Sequence, residues 1–164
     1  MTLVKQEVKT ATEVEELFIV LERIWREVFT PIIGANQVEY MMENYQSPQN
    51  IRQEIEDGAH YFLLTLDGKP IGYTAYEIND EQVYISKIYL GSESRGKGLS
   101  SEVFNWYEEI GKGKKLHLNV NQGNKLAISV YEHRGFERVG ERYVDIGEGY
   151  IMDDYIYEKD LTKL

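Results

Sequence analysis

The stretch VYISKIYLGSESRGKGLSS, Val83 to Ser101, changes character twice within nineteen residues. Val83, Tyr84, Ile85, Ile88, Tyr89 and Leu90 make a β-branched and aromatic run that reads as a strand, ended by the breaker-rich Gly91-Ser92-Glu93-Ser94. Arg95-Gly96-Lys97-Gly98-Leu99-Ser100 then sets two glycines and two cations ahead of Val103, Phe104, Trp106, Tyr107 and Ile110, whose three-and-four spacing is helical. The unpaired N–H groups of a helix's first turn, together with its dipole, favour an anion. Gly96 and Gly98, lacking a β-carbon, allow positive φ and a close backbone approach to a phosphate. Neither G-x-x-x-x-G-K-[ST] nor G-x-G-x-x-G occurs, which sets aside nucleoside triphosphatases and Rossmann dehydrogenases.

Outward from this stretch the elements alternate. Upstream, Tyr61 to Leu66 and Ile71 to Ile78 read as strands joined by the turn Asp67-Gly68-Lys69-Pro70, and Asn79-Asp80 turns the chain into the strand at Val83, giving an antiparallel meander. Downstream, Lys115 to Val120 is a short strand reached through the helix and therefore parallel to the central one. A helix from Asn124 to Arg134 and strands at Phe136 to Val144 and Gly149 to Tyr157 follow. Towards the N-terminus lie a strand at Leu3 to Lys9 and a helix starting at Thr12, where Thr12 and Glu15 form a capping box and Pro31 stands past the end. Two shorter helices, Gln37 to Tyr45 and Pro48 to Asp57, complete it, the second capped at Ser47. The expected class is α/β (α+β): one domain over residues 1–164, with a mixed, mostly antiparallel sheet of six to seven strands flanked by helices on both faces.

The loop Arg95 to Ser100 resembles the acyl-CoA signature R/Q-x-x-G-x-G/A of the GNAT superfamily of N-acetyltransferases, departing at Ser100. A second signature of that family, Asn, then Ala three on, Tyr four further and a Gly-Phe pair, is matched by Asn124, Ala127, Tyr131 and Gly135-Phe136. The resemblance covers Tyr61 to Leu161. It implies acetyl-CoA as co-substrate, held by Arg95, Gly96, Lys97, Gly98, Leu99 and Ser100 with Asn124 and Tyr131. It also implies that the backbone of Ile88, Tyr89 and Leu90 holds the pantetheine arm and polarises the thioester carbonyl. Tyr131 matches the tyrosine that donates a proton or hydrogen bond to the sulfur. Tyr40, Met41, Met42 and Tyr45 fall where the family forms part of its acceptor pocket. The closing DIGEGYIMDDYIYEK is similar to the bacterial branch that includes spermidine and diamine acetyltransferases.

Acetyl transfer to an amine needs a neutral nucleophile, stabilisation of a tetrahedral oxyanion and a proton for the departing thiolate. Relatives often carry a glutamate on the central strand, where this chain has Tyr84 and Ser86. Glu77 and Glu81 are the carboxylates able to act through water, and Glu77 is the candidate base. His60, His117 and His133 share no metal-ligand spacing, so they are read as strand or surface histidines and no metal is expected. Ser100 and Ser101 lack the G-x-S-x-G elbow of serine hydrolases. Asp153-Asp154 with Glu148 and Glu158 forms an acidic stretch able to attract a cation or polyamine, although strand alternation sends the two aspartates to opposite faces.

Eighteen basic against twenty-eight acidic residues leave a net charge of −10, which disfavours nucleic acid and favours cationic acceptors. Cysteine is absent, so there is neither a thiolate zinc site nor a Cys nucleophile. No apolar run approaches a membrane span or a signal peptide, and the expected location is cytoplasmic. The expected function is N-acetyl transfer from acetyl-CoA to a primary amine, be it a polyamine, another small amine or a peptide amine. A homodimer is the expected assembly. The alternative is a catalytically inactive acetyl-CoA sensor or partner module.

Overall fold

Thr10 and Thr12 each stand three residues before a glutamate, so two capping boxes compete for the start of the first helix. The computed structural model describes residues 3–94 and 96–163, for Glu93 the backbone only, and it uses Thr10 rather than the expected Thr12. The Thr10 hydroxyl accepts from the Glu13 N–H at 3.2 Å. In return the Glu13 carboxylate accepts from the N–H groups of Thr10 and Lys9 at 2.9 and 3.0 Å. The upstream box wins because its carboxylate satisfies two backbone donors that the downstream one would leave to solvent.

The first helix, α1 (Ala11–Ile33), also runs past Pro31, which stands inside its last turn instead of beyond its end. Proline forfeits its own N–H bond, and a helix this close to its C-terminus has few bonds left to lose. It ends at Gly34, whose φ of +86° lets its N–H donate to the Thr30 carbonyl at 3.0 Å. Val14, Leu17, Leu21, Ile24, Trp25 and Phe29 form its buried stripe. The next helices are α2 (Ala35–Asn44) and α3 (Pro48–Glu56), the latter capped by Ser47 as the sequence predicts.

The chain divides into two compact units, Met1–Glu77 with Ile85–Asn105, and Ile78–Tyr84 with Trp106–Leu164. In the first, β1 (Leu3–Val8), β2 (His60–Leu66) and β3 (Lys69–Ile78) pair antiparallel. Val8 lies opposite Tyr61, Tyr61 opposite Ala75 and Leu63 opposite Tyr73, so these buried residues share one face of the sheet. The β2–β3 turn is shorter than predicted. Asp67 and Gly68 alone make it, at φ +52° and +81°, and Lys69 and Pro70 already belong to β3. Pro70 is tolerated there because it sits opposite Thr65 at a register shift.

The central strand, β4 (Gln82–Leu90), follows. In the second unit its first residues pair parallel with β5 (Lys115–Asn121), from Gln82 opposite Lys115 to Tyr84 opposite His117. The chain reaches β5 through α4 (Leu99–Ile110), the crossover a parallel pair requires. After α5 (Lys125–His133), the strands β6 (Glu137–Gly147) and β7 (Tyr150–Asp160) form a hairpin whose second strand lies against β5. The strand order is β1-β2-β3-β4-β5-β7-β6, seven strands as the upper expectation had it. Leu116, Leu118, Val120, Tyr131, Phe136 and Tyr157 are buried within this unit.

Candidate active site

Ile88, Tyr89 and Leu90 are the last residues of β4 and are half-buried. The Tyr89 ring packs 5.4 Å from Tyr73 and 5.8 Å from Phe29, so its side chain serves the packing and leaves the main chain as the part able to meet a ligand. The chain leaves the strand at Gly91, whose N–H donates to the Ile71 carbonyl at 2.7 Å. A single 3₁₀ turn, Ser92–Ser94, follows, tied by the Ser94 hydroxyl donating to the Gly91 carbonyl at 2.7 Å.

Arg95 lies outside the described residues. Gly96 and Gly98 are exposed at φ +78° and +72°, and a β-carbon on either would meet no atom within 4 Å. Glycine is required there by backbone conformation and by whatever approaches from outside, not by packing. Helix α4 begins at once, with the Glu102 N–H donating to the Gly98 carbonyl at 3.3 Å. The N–H groups of Leu99, Ser100 and Ser101 precede that first helical bond, so the helix itself supplies them no acceptor. Lys97 is exposed beside them, while the Leu99 side chain is buried and anchors the turn. This half of the predicted site is a turn of backbone donors and a cation, suited to an anion.

Deeper in the same unit lies a polar group that sequence reasoning did not single out. The Tyr61 hydroxyl donates to Glu54 of α3 at 2.9 Å, and burial and that carboxylate push the phenol far above its ordinary range. Burial draws the Lys87 ammonium down while the charges of Glu54 and Glu77 oppose it. The Tyr73 hydroxyl is buried, and burial pushes its phenol up while a hydrogen bond with Trp25 opposes the rise. Glu77 stands at the exposed end of β3. Met41 and Met42 are core residues, Tyr40 is half-buried, and Tyr45 is 40% exposed with its ring 6.3 Å from that of Tyr40. Of the four predicted pocket residues, the two tyrosines are therefore the accessible ones.

In the second unit Asn124 caps α5, its side chain accepting from the Ala127 N–H at 3.3 Å. The helix closes with Gly135 at φ +91°, its N–H donating to Glu132 and the Phe136 N–H donating to Tyr131. That is the Schellman pattern, and it explains the Gly-Phe pair: the glycine takes the left-handed position and Phe136 folds back onto Tyr131, ring centroids 6.0 Å apart. Tyr131 is buried, and that burial raises its phenol well above the usual range, so it stays protonated.

In the same unit His117 of β5 meets Glu158 of β7, Nδ1 to Oε2, at 2.9 Å. Asn119 donates to the Tyr84 hydroxyl at 3.4 Å. Spacing alone makes this histidine a strand or surface residue; only the β5–β7 register brings Glu158 to it. In the acidic stretch, Asp153 accepts from Gln122 at 2.8 Å, while Asp154 is buried with Arg142 at 3.7 Å. The two aspartates take different partners, as alternation requires.

The family model described as the acetyltransferase (GNAT) family matches residues 20–136, reaching further forward, into α1, than the motifs alone. An uncharacterized N-acetyltransferase in the pepI 3' region of Lactobacillus delbrueckii subsp. lactis is 28% identical over 155 residues, covering 85% of this chain and 89% of that protein. A putative ribosomal protein bS18-alanine N-acetyltransferase of Bacillus subtilis is 32% identical over 96 residues, 55% of this chain and 64% of that protein. Among solved structures, the PaiA N-acetyltransferase of Thermoplasma acidophilum in complex with coenzyme A aligns at a TM-score of 0.77 and 20% identity, over 97% of this chain and 99% of that one. A ribosomal-protein-alanine N-acetyltransferase from Brucella melitensis aligns at a TM-score of 0.63 and 19% identity, over 97% and 99%. At these identities the structural likeness speaks to the fold alone.

Proposed function

The chain belongs to the acetyltransferase (GNAT) family, and from that premise we propose that it transfers an acetyl group from acetyl-CoA to a primary amine. The observation that carries this reading is the turn at Gly96 and Gly98, two exposed left-handed glycines leading directly into α4. The N–H groups of Leu99, Ser100 and Ser101 with the Lys97 ammonium would hold the pyrophosphate, and Arg95 completes the signature. The main chain of Ile88 to Leu90 would align the pantetheine arm and polarise the thioester carbonyl.

Asn124 and Tyr131 take the roles the family signature gives them. Tyr131 is suited to donate a hydrogen bond to the departing sulfur rather than to surrender its proton outright. Its buried phenol is the weaker acid by a wide margin, an ordinary thiol titrating near about 8.5. Glu77, exposed to water, is a carboxylate able to pass the released proton on to solvent.

The acceptor is an amine that is cationic before reaction, in keeping with the net charge of −10. The closing sequence pattern favours a polyamine. Two of the relatives carry names that specify the alanine of a ribosomal protein, which puts a peptide α-amine beside it.

The test is release of free CoA from acetyl-CoA with spermidine, putrescine, lysine, an amino sugar and a peptide beginning with alanine. Turnover with one class establishes the enzyme and its acceptor together. Thermal stabilisation by acetyl-CoA with no turnover on any amine would favour an inactive sensor. A ligand at one hundred times its Kd adds about 2.7 kcal/mol, so binding is easily read.

A further inference from the structure

We propose that His117, oriented by Glu158, is the catalytic base that receives the acceptor's proton, and that Asn119 holds the acceptor nitrogen beside it. This rests on the acetyl transfer proposed above.

The geometry starts from the carboxylate. Ionised Glu158 can only accept, so at 2.9 Å the His117 Nδ1 must carry the hydrogen, and Nε2 is left with its lone pair. Both side chains are about a quarter exposed, at 23% and 24%, so the pair is shielded by its neighbours yet reachable. Register fixes the arrangement. His117 lies directly opposite Glu158 across β5 and β7, and directly opposite Tyr84 across β4 and β5, so all three share one face of the sheet. The Tyr84 ring meets the imidazole edge-on, centroids 5.7 Å apart. Glu137 on β6, opposite Glu158, and the facing pair Lys115 and Asp160, two residues along β5 and β7, are further ionisable groups the register brings to this face.

A second observation points to a ligand. Asn119, two residues along β5 and on the same face, directs its amide nitrogen to the Tyr84 hydroxyl at 3.4 Å. Its Oδ1 is buried with no partner among the described residues. A buried acceptor oxygen without a donor is costly, and an amine N–H from a substrate would satisfy it. The central strand that carries Tyr84 also carries Ile88 to Leu90. Its last pair with β5 is Tyr84 with His117.

The proton balance is simple. The acceptor enters as an ammonium and gives one proton to His117 Nε2, forming an imidazolium paired with Glu158. The freed nitrogen lone pair forms the bond to the acetyl carbon, and the carbon–sulfur bond breaks with its electron pair going to sulfur. The second nitrogen proton goes to that thiolate to give free CoA, and the imidazolium returns its proton to water.

The test uses the full chain with an amine that supports turnover. His117→Gln should lower kcat about a hundredfold, within the usual range for a positioned base, while leaving stabilisation by acetyl-CoA unchanged. Glu158→Ala should lower kcat and release the His117 hydrogen from its fixed place on Nδ1, with stabilisation by acetyl-CoA unchanged; a merely structural glutamate would leave both kcat and the tautomer in place. Nitrogen NMR of His117 should show the hydrogen on Nδ1, and the amine should perturb the Nε2 resonance. Turnover by His117→Gln within twofold of the parent, or loss of turnover on Glu77→Gln with His117→Gln still active, overturns the base while sparing the acetyl transfer. No turnover by the parent chain with any amine overturns both.

Discussion

A β-carbon on Gly72 would stand 2.4 Å from the carbonyl oxygen of Tyr89 and 3.1 Å from the Cα of Leu90. Gly72 therefore has to be glycine because β3 passes close to the β4 segment assigned to the pantetheine arm. No unusual φ is involved. Gly72→Ala forces β4 to move, and overpacking of this kind costs about 1–3 kcal/mol. The expected outcome is a lower thermal midpoint together with weaker acetyl-CoA binding, measured by calorimetry on the same preparation. Destabilisation with undiminished affinity would detach Tyr89 and Leu90 from the ligand.

Gly98 poses the opposite case, since nothing stands within 4 Å of its absent β-carbon. A β-branched residue at φ +72° is strained by roughly 1–3 kcal/mol, so Gly98→Val should lose some stability and most of its acetyl-CoA affinity. Gly149→Val is the control. Gly149 has φ +79° and equally open surroundings in the β6–β7 turn, so it should bear a similar strain and keep its affinity. Equal loss of binding in both variants would mean that strain, not blocked approach, was responsible.

Tyr131→Phe keeps the ring that faces Phe136 at 6.0 Å and removes only the hydroxyl. Acetyl-CoA affinity should change little and kcat should fall about tenfold to a hundredfold, as expected when a single hydrogen bond to a leaving group is lost. Steady-state kinetics beside a direct binding titration separates the two effects. Unchanged kcat would move the role to another donor.

Local signals explain what could be read from the chain alone. The strand-turn-helix at Val83 to Ser101 and the capped helix from Asn124 to Gly135 are written in contiguous residues, and the structure holds both where the sequence put them. Boundaries failed where two local solutions competed, as with Thr10 against Thr12, or where one bond was cheap to lose, as at Pro31. The His117–Glu158 pair was invisible for a different reason. Forty-one residues separate its members, and only the insertion of β7 beside β5 creates the contact. Glu54 and Tyr61 are close in sequence, yet their hydrogen bond depends on which face of β2 the end of α3 covers.

Glu13 offers a test of the cap that the structure chose. Its carboxylate is held down from 4.5 to about 2, first by the Thr10 N–H, then by the Lys9 N–H and the Gln6 amide. A carboxyl whose folded value lies below its unfolded one contributes stability that is fully present above the unfolded value and is lost as pH falls through the folded one. The window is therefore about pH 4.5 down to about 2. The parent chain should lose thermal stability across that window more steeply than Glu13→Gln, which carries no titrating group there. Glu15→Gln, altering the capping box that the chain does not use, should track the parent. Parallel melting curves for the parent and Glu13→Gln between pH 5 and pH 2 would move the helix start back to Thr12.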